Sequence, residues 1–145
     1  MRKLPLALIG AASIFLASPA VAGPLEDFDA LMDDYWAAML KESPLLATSA
    51  GVETYDAQLD ELSLAAMDRQ AALAKAFLDR LNAIPQASLT PADQTNYAIL
   101  KRTLQNSIEG NRFGQRQMLY STLGSYHDYY AGIGETQPFH DKADF

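Results

Sequence analysis

Apolar residues recur along this chain at helical spacing. Phe28, Leu31, Met32, Tyr35, Trp36, Met39 and Leu40 fall three, four, seven and eight positions apart. That is the stripe of a 3.6-residue period, not the alternation of a strand. Glu26, Asp27, Asp29, Asp33 and Asp34 crowd the front of this helix, and Lys41 stands near its end. Both placements complement the helix dipole. Ser43-Pro44 ends the helix, because the residue before a proline is pushed out of the helical region. Tyr35 and Trp36 lie on the stripe and are expected in the core. Each large apolar side chain buried contributes roughly 2 kcal/mol.

A short helix follows. Ser43 is positioned to cap it, Pro44 to open it, and Gly51 to close it with a left-handed residue. Val52, Tyr55 and Leu59 offer apolar contacts around a corner, where Asp56 and Asp60 suit caps or turns. Ser63 opens the next long helix, with Leu64, Met67, Ala71, Ala74, Phe77, Leu78, Leu81 and Ile84 as its stripe and Pro85 as its end. Thr90-Pro91-Ala92-Asp93 is a start signal of cap, proline and acid. The helix it opens carries Tyr97, Leu100, Leu104 and Ile108 toward Gly110. Short connections favour antiparallel neighbours. The expected fold is all-α: an antiparallel helical hairpin with the first helix packed against it.

Beyond Arg112 the pattern thins. Gln115 to Gly124 keeps no steady period. Ser125 to Tyr130 reads as a short helix closed by Gly132 and Gly134. Pro138 to Phe145 reads as the entry to a further helix, with Asp141 as its cap, and the chain stops inside that first turn. A start signal without a helix body implies that the protein continues.

The N-terminus changes the compartment. Met1-Arg2-Lys3 is basic, Leu4 to Ser18 is apolar, and Ala20-Val21-Ala22 is a small-residue cleavage site. Residues 1–22 therefore read as a signal peptide cut after Ala22. As a membrane anchor the run is short and holds Gly10 and Pro19. The processed chain, 23–145, is expected in the periplasm or outside the cell. The chain has no cysteine, hence neither a lipid attachment site nor a disulfide framework. Of its 11 basic residues, Arg2 and Lys3 leave with the signal, so 9 face 18 acidic ones, a formal charge of −9. That balance argues against a nucleic-acid partner, which needs clustered Lys and Arg.

Candidate chemistry is sparse. His127 and His140 are the two histidines, and no H-E-x-x-H sequence joins them to a glutamate. Pairing them with Asp128 or Asp141 would give a metal site of unusual spacing, and surface histidines explain them more simply. G-x-S-x-G and the phosphate-cradling glycine motifs are absent; Gly132-Ile133-Gly134 alone specifies little. Tyr126, Tyr129 and Tyr130 can share one helical face and line a cleft, or make a core contact. The residues themselves thus supply no catalytic, metal or cofactor site.

A longer pattern carries more. Phe28…Tyr35-Trp36…Leu40…Ser43-Pro44…Ala47-Thr48…Gly51…Tyr55-Asp56…Leu59…Leu62-Ser63 continues through Phe77-Leu78…Leu81…Ile84 and Leu89…Asp93…Tyr97…Leu100. It resembles the N-terminal part of a bacterial secreted family, the domain of unknown function 885. Members of that family are similar to gluzincin-type zinc metallopeptidases, mostly helical and often exported, with an H-E-…-G-H-H signature in the C-terminal half. No residue of this chain matches that signature. The resemblance carries over Tyr35, Trp36, Pro44, Ala47, Thr48, Gly51, Tyr55 and Asp56, with structural roles. Gly51 is expected to supply a positive φ, and Asp56 to accept from backbone donors at the corner.

The resemblance implies an N-terminal lobe of an exported, zinc-dependent peptidase-like protein, inactive alone. Its partners would be the C-terminal portion of the same protein, which would hold the zinc, and a peptide substrate. The other reading is a free-standing helical binding or scaffold protein of the periplasm, without enzymatic activity.

Overall fold

The computed structural model describes residues 23–114, 117, 130–136 and 142. The described elements are helical: α1 (Pro24–Glu42), α2 (Pro44–Ser49), α3 (Leu64–Ala83) and α4 (Pro91–Arg112), with a further turn at Ile133–Thr136. Short 3-10 turns at Glu53–Tyr55 and Gln86–Ser88 lie in the connections from α2 to α3 and from α3 to α4. The signal-peptide residues 1–22 lie outside the described residues. No helix among the described residues is long and apolar enough to cross a membrane.

Local chemistry fixes the helix ends. The Ser63 hydroxyl accepts from the Ala66 N–H at 3.1 Å, capping α3. Thr90 Oγ1 accepts from the Asp93 N–H at 3.3 Å and donates its own proton to the Asp93 carboxylate at 2.6 Å. Helix α1 starts at Pro24, where the Gly23 N–H donates to Glu26 Oε2 at 3.1 Å. Helix α4 runs through Gly110 to Arg112. A glycine inside a helix costs only about 1 kcal/mol, and the left-handed stop falls instead at Gly114, with φ +73°.

The core sits where α1 crosses the α3–α4 hairpin. Phe28, Leu31, Phe77, Leu81, Tyr97, Leu100 and Leu104 form its centre, closed by Ile84 and Leu89 at the hairpin turn. The Phe28 and Tyr97 rings lie 6.3 Å apart, and Tyr35 meets Phe77 edge-on at 5.4 Å, a geometry aromatic quadrupoles favour. The fold is the all-α hairpin with a first helix that the periodicity predicts.

Trp36 departs from expectation: it is 49 % exposed. The apolar arc of α1 is wider than its contact. Phe28, Leu31 and Tyr35 face the hairpin, whereas Trp36 lies on the flank of the arc, one residue further round. Leu64 and Leu59 are exposed as well, and Ala66, absent from the expected α3 stripe, is fully buried.

Candidate functional site

Two places in the fold gather the residues of interest: a hydrogen-bonded corner after α1, and a groove beside it.

The corner spans residues 43–60. Pro44 and Ala47 are buried on α2. Gly51 has φ +78°, and nothing lies within 4 Å of where its Cβ would sit. The helix closes on a paired stop: the Val52 N–H donates to the Ala47 carbonyl at 2.9 Å, and the Gly51 N–H to the Thr48 carbonyl at 3.0 Å. This is the left-handed termination that glycine makes possible. Ser43 does not cap α2 with its side chain. The donor at Leu45 goes instead to Asp60 Oδ1, 3.2 Å away and fifteen residues later. Asp56 takes a side-chain donor: the Thr48 hydroxyl donates to its Oδ1 at 2.6 Å, with the Pro44 carbonyl as a weaker acceptor at 3.2 Å. Tyr55 is half-buried in the 3-10 turn.

The groove lies between the second half of α1 and the hairpin and encloses about 210 Å³. Its floor is apolar: Tyr35, Met39, Leu73, Ala74, Phe77 and Leu104. Its rim is polar: Glu42, Ser43, Gln70, Thr103 and Ser107. Burial raises the Tyr35 phenol above its usual value; at neutral pH it is an O–H donor, as an unshifted tyrosine also is. Glu42 is occupied: the Arg69 guanidinium donates to both its oxygens, from Nε at 3.3 Å and Nη2 at 3.1 Å. The lining holds neither histidine nor lysine. An apolar floor with hydroxyl and amide groups at its rim matches, in chemistry, an apolar group with polar edges.

The expected site residues thus separate. Tyr35 lines the groove, Trp36 does not, and the six from Pro44 to Asp56 build the corner. Tyr130 reaches the corner, its hydroxyl donating to the Asp60 carbonyl at 3.4 Å. Tyr126, Tyr129, His127, His140, Asp128 and Asp141 lie outside the described residues. Sequence reasoning missed Arg69 and Glu42, because nothing in the spacing of two charges 27 residues apart announces their meeting.

The described corner and hairpin are shared with a known family. Residues 44–145 match the model of the bacterial protein of unknown function (DUF885). The chain belongs to that family. The match opens at Pro44, the first residue of α2, so the DUF885 range takes in the corner and the hairpin while α1, with Tyr35 and Trp36, precedes it. No curated protein matches this DUF885 chain, and no solved structure does.

Proposed function

We propose that this chain is the N-terminal helical lobe of an exported, zinc-dependent peptidase-like DUF885 protein, and that the lobe walls a substrate groove without performing catalysis. The groove carries this reading. A peptide presents apolar side chains and backbone amides together; the floor of Tyr35, Met39 and Phe77 suits the first, and the Ser43, Gln70, Thr103 and Ser107 rim suits the second. Export rests on residues 1–22.

Zinc enters through the family resemblance alone. Among the described residues, no group of three or more His, Cys, Asp or Glu is placed to hold a metal ion. In this reading the lobe binds and orients, and the remaining chain of the same protein would supply the metal chemistry.

Zinc content and peptide hydrolysis, measured on residues 23–145 and on the complete gene product, test this. The complete product should retain about one zinc per chain and cleave peptides, and the lobe should do neither. Cleavage by residues 23–145 alone would contradict the proposal. So would a complete product that is metal-free and inactive, which would point to a helical binding or scaffold protein instead.

A further inference from the structure

One guanidinium holds both ends of the corner. Arg69, on the second turn of α3, donates to both oxygens of Glu42, the last residue of α1, and its Nη2 also reaches Glu61 Oε2 at 3.1 Å. Glu42 immediately precedes the corner and Glu61 immediately follows it. The Ser63 hydroxyl donates to the other Glu61 oxygen at 2.6 Å, which aims the carboxylate back at α3. Isolated surface ion pairs contribute little. This one is a three-member network in which Glu42 is 16 % exposed and Arg69 and Glu61 are about half exposed, so it is stronger than a lone pair and still open to screening by salt.

The network sits at the edge of the main core, where Leu40 is buried outside the central cluster. The first half of α1 is anchored by Phe28 and Leu31, both buried in the core. Past Tyr35, α1 runs beside the groove, and Glu42 and Ser43 form part of its rim. Ser43, with φ −133° and ψ 76°, breaks the helix between α1 and α2. The end of α1 therefore has the main core behind it, a joint ahead of it and the groove along one side, with Leu40, 7 % exposed, as its own buried contact.

We propose that Glu42, Arg69 and Glu61 form a latch that fixes the end of α1 and the corner against α3, and that its release widens the groove and uncovers the apolar floor. The latch operates whatever the groove binds. Packing holds the hairpin, so opening is local.

Amide hydrogen exchange on the purified protein tests this, with fluorescence of the apolar dye anilinonaphthalene sulfonate as a second readout. Arg69→Met keeps much of the stem and removes every donor. It should speed exchange over residues 37–50 about tenfold, leave the protected amides around Leu81 and Leu104 unchanged, and raise dye fluorescence about threefold. Glu42→Gln should do the same to a smaller extent, and carries the test if Arg69→Met does not fold. Lys75→Met, which removes the solvated Lys75–Asp79 pair, should change nothing. Sodium chloride at about 0.5 M should loosen the wild type and not Arg69→Met. Unchanged exchange in Glu42→Gln, or acceleration spread evenly over α3 and α4, overturns the latch.

Discussion

At the scale of single residues, exposure decides what a substitution costs. Leu81 is fully buried among α1, α3 and α4, so Leu81→Ala should lose about 2–5 kcal/mol through transfer and cavity terms. Trp36→Ala, on an exposed flank, should lose under about 1 kcal/mol in the same urea titration. Gly51→Ala meets no steric neighbour, so its cost is backbone alone, about 1–2 kcal/mol for an L-residue held at φ +78°. A loss near zero would mean that the corner re-forms with a different turn. Glu61 gives a pH handle. The Ser63 hydroxyl and then Arg69 hold its carboxyl below the ordinary value of 4.5. It ionises more readily folded than unfolded. Its stabilisation is present above that ordinary value and is lost as pH falls through the lower folded value. Urea midpoints of wild type and Glu61→Gln should therefore converge as the pH drops below the ordinary carboxylate range.

At the scale of elements, the helix boundaries were legible because they are local events. Ser63, Thr90-Pro91 and Pro85 act within one turn, and each stands where the structure begins or ends a helix. Ser63→Ala should cost about 1 kcal/mol by thermal unfolding. Gly51 was equally legible, since a positive φ after a short helix is a glycine's role. Two features were not. The cap of α2 comes from Asp60, fifteen residues away, and no spacing rule reaches that far. Trp36 was misplaced because a stripe gives the direction of a helix face but not the width of the surface that covers it. The groove was invisible for the same reason: it is the part of α1's apolar arc that the hairpin leaves uncovered, and only the crossing of three helices defines it.

At the scale of the whole molecule, burial and exposure are uneven. The inward faces of the hairpin and of the front of α1 are buried, yet Trp36, Ile99 and Phe113 remain exposed, Phe113 by 70 %, and the groove lies open between α1 and α4. Scattered exposed apolar residues are ordinary; with an apolar groove among them they suit a surface that more protein covers. The proposed role as one lobe of a larger DUF885 protein depends on that cover. Sedimentation of residues 23–145 across a range of concentrations tests it most directly. The proposal predicts self-association that strengthens with concentration, whereas a monomer at every concentration, unfolding in one cooperative transition, would contradict it.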